Sequence, residues 1–582
     1  MTGTSPAAAQ LPPWAKKLAL LAVAWSILHA ILLAWVSDDA FITYRYSQNF
    51  ADGLGLVYNA GERVEGYTNF SWAVLLGLGI KVGIDPILLS HVLGIACHLG
   101  TLLVLLRGGP GGLAVFPLAA TGYALHHFAA EFATSGLETS LFTLLLTAAV
   151  VRLVLASRAW HYAAAGVLLV ALCTTRPDGM LCYGLAGLLT IAHARQSRDP
   201  RPLIALALPA ILLYAPFFVW KWTYYGYPFP NTFYAKSAHD PYFSSGLRYV
   251  GFYLSYCFVL VPALATPLLL FGTGTRRAVT EAGWATRGPL VVGGLVVVWL
   301  LYVAWVGGDF MFSRFCIPVT PALYLGLQLL TRRVRWSPVR AAAVVLVAAG
   351  STVTSFTQDR IADSGWSHER RVYPPWRLAA FDTIGAGLDR ILGDTNAFAI
   401  VGSMQAQLGY FAAFPRAIEI NGLTDEHLAH RPIEQRGWVG HEKGMVWHDD
   451  YFVERGVHFV FGLYDFMRAP PEDRIGQHRC VSFFVAGVPL NELSPALTEP
   501  VDMWVRGTMI TYDRALMQSL RGREDVEFLP FEDHLDDYLA TIDERDADEV
   551  ALDYAAYRRF YFDHNEDRER QRAFEAFLER AQ

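Results

Sequence analysis

The sequence is short of charge and of the motifs that mark common soluble enzymes. Only 17% of its 582 residues are Asp, Glu, Lys or Arg, whereas a soluble domain usually carries about 25%. Its six cysteines form no CxxC pair and no Cys/His metal spacing. There is no Walker loop, zincin motif, nucleophile elbow or dinucleotide fingerprint. The net charge of −6, with its acidic excess in the tail, argues against a nucleic-acid partner.

Long apolar runs are abundant, and they are unevenly distributed. Residues 1–356 consist mostly of such runs, whereas residues 357–582 have the composition of a soluble protein. The sequence therefore predicts a polytopic α-helical membrane domain at 1–356 and a soluble mixed α/β domain at 357–582. The predicted spanning helices number eleven: 18–36, 86–106, 112–130, 137–156, 161–175, 179–194, 203–221, 248–271, 289–306, 315–330 and 340–356.

The loops between these runs predict the orientation. Lys and Arg are concentrated in one alternate set of loops, which also contains Lys16 and Lys17, so the N-terminus is predicted to be cytoplasmic. The first run is predicted to remain as a signal anchor, and the short stretch 69–84 is predicted to lie on the membrane surface. An odd number of spans then places residues 357–582 on the outer face.

The soluble part carries recognisable local patterns. Residues 397–402 and 458–462 are apolar runs that end in glycine, which is typical of buried strands. Residues 377–392 and the charged, tyrosine-rich tail at 532–582 are predicted to be helical.

Two adjacent acids, Asp38 and Asp39, follow directly after the first apolar run. Carboxylates at the end of a membrane helix are costly unless they have a function or cap a helix. One carboxylate of such a pair suits a general base, because a neighbouring like charge raises the pKa of one member. Capping or simple solvation of the two acids is the alternative. Arg45 lies two helical turns after Asp38 and can face the same cleft.

Four further turns are predicted on the same outer face, and each has a structural alternative. They are 131–139 with Glu138, 174–179 with Arg176, 224–236 with Asn231, Tyr234 and Lys236, and 307–315 with Asp309 and Arg314. The structural alternatives, in the same order, are helix capping, an Arg–Asp turn, an interfacial aromatic belt and a simple ion pair. Guanidinium and ammonium groups also suit phosphate, and aromatic faces suit sugar rings. Their coincidence on one face indicates a lipid-phosphate substrate.

Several of these stretches resemble one known family. They are DDAFI at 38–42, GLVYN at 55–59, GERVEGYTNF at 61–70, GLET at 136–139, TRPDG at 175–179, PNTFYAK at 230–236, GGDFM at 307–311 and IEINGLTD at 418–425. They are similar to GT-C glycosyltransferases of the mycobacterial terminal β-(1→2)-arabinofuranosyltransferase type. The likeness covers most of the chain and is strongest at the loop motifs.

The resemblance implies an activity and a location. It implies a polyprenyl-phosphate sugar donor, a glycan or lipid-linked acceptor of the cell envelope, and inverting transfer at the outer face of the bacterial cytoplasmic membrane. Asp38 would be the general base, and Asp39 the second choice. Arg45, Arg176, Lys236, Asp309 and Arg314 would form the donor and phosphate site. The sugar and acceptor site would contain Tyr67, Asn69, Glu138, Asn231 and Tyr234. A divalent cation, Mg²⁺ or Mn²⁺, is a possible cofactor, with Asp39 as its ligand.

Two alternatives of other classes stay open at this point. A transporter or flippase of a lipid-linked sugar should show inverted repeats and charges near the bilayer midplane, and the sequence shows neither. A non-catalytic envelope assembly protein would not need acids and cations that converge in the membrane loops.

Overall fold

Helices form almost all of the regular structure up to residue 333. The computed structural model describes residues 13–110, 116–236, 240–271, 279–333, 350, 353–354, 357, 360–361, 364–402, 405–433, 439, 441–442, 449–462, 466–467, 480–489 and 500–581. The predicted span at 340–356 lies for the most part outside the described residues. Contacts divide the chain into two compact units. The first contains the described residues of Met1–Gly53, Tyr67–Tyr373 and Arg436–Gly440, and the second those of Leu54–Gly66, Pro374–Gln435 and His441–Gln582.

The first unit is helical. Its helices are α1 Pro13–Leu32, α2 Asp38–Ala51, α3 Phe70–Lys81, α4 Pro86–Gly108, α5 Leu118–Leu125, α6 His127–Glu131, α7 Thr139–Val154, α8 Ala159–Thr175, α9 Gly179–Ser197, α10 Arg201–Pro209, α11 Ala215–Tyr225, α12 Asn231–Ala235, α13 Phe243–Tyr256, α14 Leu260–Ala265, α15 Gly288–Trp305, α16 Thr320–Arg333 and α17 Glu369–Val372. A π turn at Ala210–Tyr214 joins α10 to α11 directly after Pro209, whose ring removes a helical donor.

Several of these helices have the length and composition of membrane spans. Within the described ranges, three pass on both criteria: Pro86–Gly108, Arg201–Tyr225 and Gly288–Trp305. Phe243–Tyr256 and Leu260–Leu270 add a fourth if they count as one span, although they meet at 116°. Shorter apolar helices include Thr139–Val154 and Ala159–Thr175. Many apolar helices are thus present, and the number eleven stays a prediction.

Close backbone approach holds parts of this unit together. A Cβ built on Gly246 of α13 would lie 2.2 Å from the carbonyl oxygen of Ala304 in α15. Only glycine permits that contact, and small residues at helix crossings are typical of membrane bundles.

The second unit is built on a seven-stranded mixed sheet. Its strands are β1 Phe398–Val401, β2 Arg416–Glu419, β3 Phe459–Phe461, β4 Phe466–Met467, β5 Cys480–Val488, β6 Val501–Met509 and β7 Val526–Phe528. The order is β2-β1-β3-β6-β5-β7, and β4 also pairs with β6. β1 runs parallel to β2 and β3, whereas the pairs β3–β6, β5–β6 and β5–β7 are antiparallel. The predicted strands at 397–402 and 458–462 are confirmed as β1 and β3.

Helices surround this sheet. They are α18 Pro375–Leu392, α19 Ala406–Phe411, α20 Glu426–His430, α21 Asp449–Glu454, α22 Arg514–Leu520, α23 Phe531–Ala540, α24 Ala547–Tyr557 and α25 Arg568–Ala581. The predicted helix at 377–392 and the helical tail are confirmed. A core cluster that includes Ile400, Ile418, Leu428 and Phe452 packs between sheet and helices.

An N-terminal loop also belongs to the second unit. Asn59 pairs twice with the backbone of Ala417 in β2: its Nδ2 donates to the Ala417 oxygen at 2.8 Å, and its Oδ1 accepts from the Ala417 nitrogen at 2.9 Å. Glu62 accepts from Arg416 at 2.7 Å and from Arg455 at 3.1 Å. Burial opposes ionisation of Glu62, but these arginines and Asn59 outweigh it and lower its pKa. The loop is therefore held by charged and backbone-like contacts.

Candidate functional site

The acid pair begins helix α2. Asp38 is buried, whereas the side chain of Asp39 is 26% exposed. The backbone nitrogen of Ser37 donates to the carbonyl oxygen of Ser135 at 2.9 Å, which fixes the start of the helix against the turn before α7. The positive end of the helix dipole favours carboxylates here. Dipole stabilisation and a catalytic role are compatible, because both need an ionised acid.

Gly136 is the point at which that turn touches α2. Its φ is +81°, and a Cβ there would lie 2.5 Å from the Tyr44 hydroxyl oxygen and 2.7 Å from the Ala40 Cβ. The carbonyl oxygen of Gly136 accepts from Trp72 Nε1 at 2.9 Å. Glycine is therefore required by both conformation and space, and it brings Glu138 beside α2.

We expect Gly136→Ala to lower the free energy of unfolding by about 3 kcal/mol, because backbone strain and overpacking add. Thermal unfolding of the purified protein measures the change. Gly53→Ala is the matched control: its φ is +83°, but no heavy atom lies within 4 Å of a built Cβ. The control should cost only the strain of roughly 1–2 kcal/mol, and equal losses for both variants would disprove the close contact.

Arg314 joins one of the acids to the turn at 307–314. Its Nε donates to Asp309 Oδ2 at 2.5 Å and its Nη2 to Asp309 Oδ1 at 3.1 Å. Its Nη1 donates to Asp39 Oδ2 at 3.3 Å. Burial by itself lowers the pKa of Arg314, but Asp309 and Asp39 outweigh burial and raise it above its ordinary value. The guanidinium is therefore permanently charged and is shared between two carboxylates.

A second network surrounds Arg176. Its Nη1 donates to Glu138 Oε1 at 2.9 Å, and its Nη2 donates to Asp178 Oδ2 at 3.0 Å. The other oxygen of Glu138 accepts from Asn69 Nδ2 at 2.8 Å, and Asn69 also bonds to Thr43 of α2. Burial opposes the charge on Arg176, but the two carboxylates raise its pKa. These groups satisfy one another, so the network is a framework for α2 as well as a candidate sugar site.

Two phenyl rings connect the cations. The guanidinium carbons of Arg176 and Arg314 lie 5.0 and 5.5 Å from the ring centroid of Phe315. Arg314 and the Lys236 ammonium lie 5.9 and 6.0 Å from the ring centroid of Phe310. The structure thus brings together three of the four cations predicted for the donor and phosphate site, Arg176, Lys236 and Arg314. Of these, Lys236 differs, because within the described part of the chain it forms no ion pair.

The positions of the remaining predicted residues do not by themselves indicate a role in binding. Tyr67 is buried and shares a hydroxyl hydrogen bond of 2.9 Å with Tyr225. Asn231 and Tyr234 lie on α12, five and two residues before Lys236, and Asn231 is buried. Arg45 is buried on α2. Their part in binding stays a prediction.

Glu369 is a buried acid that lies outside every predicted motif. It starts α17 and is only 4% exposed. The preceding Ser367 pairs with the 307–314 turn: its nitrogen donates to the Phe310 oxygen at 2.9 Å, and its oxygen accepts from the Phe312 nitrogen at 3.0 Å. The pattern that could have revealed Glu369 is the charged run SHERR at 367–371, which follows soon after the last predicted span.

A histidine next to Glu369 anchors the same segment. His368 Nε2 lies 3.2 Å from Glu131 Oε2, and His127 Nε2 lies at the same distance from that oxygen. Arg370 Nε donates to the Leu33 oxygen at 3.0 Å. Residues 367–370 are therefore fixed to α6 and to the end of α1.

No metal centre is evident in the parts of the chain that the structure describes. Within those ranges, no group of three or more His, Cys, Asp or Glu side chains has an arrangement that could hold a metal ion. Because Mg²⁺ is commonly held by one or two carboxylates together with substrate phosphates, a role for Asp39 as a cation ligand stays a prediction.

Comparison with known proteins gives two relatives with a named activity. No family model matches the chain. A terminal β-(1→2)-arabinofuranosyltransferase of Mycobacterium tuberculosis is 34% identical over 316 residues, which is 48% of this chain and 50% of the relative. One of the same name from Corynebacterium glutamicum is 30% identical over 318 residues, 48% of this chain and 46% of the relative. The chain resembles this type of protein and spans about half the length of these curated relatives.

Proposed function

We propose that this chain is a membrane glycosyltransferase that moves a sugar, arabinofuranose, from a polyprenyl-phosphate donor to a cell-envelope glycan. Two arabinofuranosyltransferase relatives and the apolar helices support the class of enzyme. The observation that carries the assignment is the convergence of Asp39, Arg176, Lys236 and Arg314 around Phe310 and Phe315. Acids and cations at one place suit an acceptor hydroxyl and a phosphate leaving group.

In this proposal the two aspartates have different roles. Asp39 is held by Arg314, and this ion pair gives it an orienting role. Asp38 then takes the proton of the acceptor hydroxyl. The acceptor oxygen bonds to the anomeric carbon as the bond from that carbon to the phosphate oxygen breaks, and polyprenyl phosphate leaves with the electron pair.

The cations divide the remaining work. Arg176 and Arg314 are each paired with two carboxylates, so they shape the site more than they neutralise a ligand. Lys236 has no carboxylate partner within the described residues, and its ammonium is the group best suited to the donor phosphate. Tyr234 and Asn231, which lie two and five residues before Lys236, would contact the sugar.

The proposal includes a location. We place the chain in the bacterial cytoplasmic membrane with eleven spans, a GT-C type architecture, and both the site and the soluble domain on the outer face. The apolar helices and the Lys and Arg bias of the loops support it.

A transfer assay tests the proposed function. The purified chain in detergent receives a polyprenyl-phosphoryl arabinofuranose and an arabinan oligosaccharide, with mannose and ribose donors for comparison. We expect arabinose transfer that fails with the other sugars, whereas a flippase or an assembly protein would form no glycoside. A single displacement inverts the anomeric centre, so the anomers of donor and product are compared by NMR. Retention would contradict the base mechanism and require a carboxylate nucleophile.

A further inference from the structure

Glu369 is a buried acid anchored beside the 307–314 turn, because Ser367, two residues before it, pairs through its backbone with Phe310 and Phe312. Glu369 interacts electrostatically with the carboxylates of Asp39 and Asp38 on α2 and with the guanidinium of Arg314, and the Ser367 hydroxyl hydrogen-bonds to its carboxyl group. Within the described residues, Glu369 forms no ion pair. Arg314 already serves Asp39 and Asp309.

This arrangement favours an uncharged carboxyl group at residue 369. A buried carboxylate without a partner cation costs several kcal/mol, so it takes up a proton instead. Burial, and then the charges of Asp39 and Asp38, raise the pKa of Glu369 to about 8, against the opposing effects of the Ser367 hydrogen bond and Arg314. At neutral pH the group is therefore a hydrogen-bond donor.

We propose that Glu369, a buried acid that Ser367 anchors beside Phe310 and the cations over its ring, donates a hydrogen bond to the anionic phosphate of the lipid-linked donor. The inference rests on the proposed function, because that function supplies the phosphate. A third carboxylate at this place would repel the donor, whereas a protonated one attracts it. Glu369 is thus a binding residue that the motif-bearing loops do not contain.

Donor binding as a function of pH tests this role without catalysis. The probe is a polyprenyl-phosphoryl arabinofuranose, a phosphodiester whose charge is constant over the range, and acceptor is omitted. For the unaltered protein, we expect the Kd to rise about tenfold between pH 7 and pH 9, as Glu369 loses its proton. Glu369→Gln mimics the neutral acid, so its Kd should match at pH 7 and change less than twofold by pH 9.

Ser367→Ala provides a second, milder variant. Its backbone bonds to Phe310 and Phe312 are kept, but the hydroxyl that lowers the pKa of Glu369 is lost. The alkaline loss of binding should therefore shift to higher pH. If donor binding by Ser367→Ala were lost at the same pH or at a lower pH than in the unaltered protein, the proposal would be contradicted. It would also be contradicted if Glu369→Gln lost as much donor binding at alkaline pH as the unaltered protein.

Thermal unfolding separates this inference from the proposed function. A folded-state pKa above the unfolded value means that the folded protein binds the extra proton, so stability falls as pH rises from about 4.5 to about 8. Glu369→Gln lacks this fall, and its melting temperature should exceed that of the unaltered protein increasingly over this range. If transfer is absent at every pH but both this difference and the pH-dependent donor binding are seen, the proposed transferase function fails and the role of Glu369 stands. If the melting temperatures of the unaltered protein and Glu369→Gln changed in parallel with pH, Glu369 would not be a neutral acid at pH 7.

Discussion

Replacing Asp38 by asparagine is expected to reduce sugar transfer by about 10³-fold while leaving donor binding within a few-fold of the unaltered protein. A positioned general base contributes roughly 10²–10⁴-fold to a rate, and asparagine keeps the size of the side chain but cannot accept the proton. The loss should therefore appear in kcat rather than in KM. Initial rates of glycoside formation and equilibrium donor binding measure the two quantities.

Two further substitutions control this result. Asp52 lies just after the C-terminal end of the same helix, where it is exposed and accepts from Gln48. Asp52→Asn should therefore leave both the transfer rate and donor binding unchanged. Asp39→Asn removes the acid that Arg314 holds, and we expect a smaller loss of kcat together with weaker donor binding. A larger loss of kcat in Asp39→Asn than in Asp38→Asn would reverse the assignment of the two roles. If Asp38→Asn transferred sugar at the wild-type rate, Asp38 would not be the general base.

Replacing Arg314 by methionine is expected to destabilise the protein by about 3–5 kcal/mol and to abolish transfer. Asp309 and Asp39 would both lose their shared cation, and a buried carboxylate left without its partner carries most of that cost. Asp309 is almost fully buried, whereas Asp39 is partly solvated. Thermal and denaturant unfolding measure the stability.

The double variant Asp309→Asn with Arg314→Met is the sharper test of the same pair. Removing the stranded carboxylate should recover a large part of the lost stability without recovering activity. Arg201→Gln is the surface control, because its ion pair with Asp199 is long and Arg201 is 83% exposed. Such a pair contributes roughly 0–1 kcal/mol. If the control and Arg314→Met lost similar stability, the buried network would not be the cause.

The charged residues of the site are visible in the sequence because each interrupts or borders an apolar run. Asp309 and Arg314 are five residues apart, so their pairing follows almost from spacing. The partners that matter most are distant: Arg314 meets Asp39, 275 residues away, and Arg176 meets Glu138 across 38 residues. No local pattern decides which acid meets which cation. Glu369 was missed for the same reason, because only its neighbour's pairing with Phe310 and Phe312 places it.

The soluble part shows the same division between local and distant information. Short apolar runs that end in glycine predicted β1 and β3, whereas β2, the other parallel neighbour of β1, was not predicted. The long pair β5 and β6 was also missed, although the alternation of buried Val481, Phe483 and Val485 is a usable strand pattern. Strand order in a mixed sheet depends on tertiary packing, which a single sequence does not display.

The loop at 54–66 means that the second compact unit is assembled from separate stretches of the chain. Its Asn59 extends the edge of β2, and its Glu62 neutralises Arg416 and Arg455, more than three hundred residues later. A fragment that begins at Pro374 would expose that edge and leave both arginines without this acid. Exchange of the domain between relatives would therefore succeed only when the short N-terminal insert is exchanged with it.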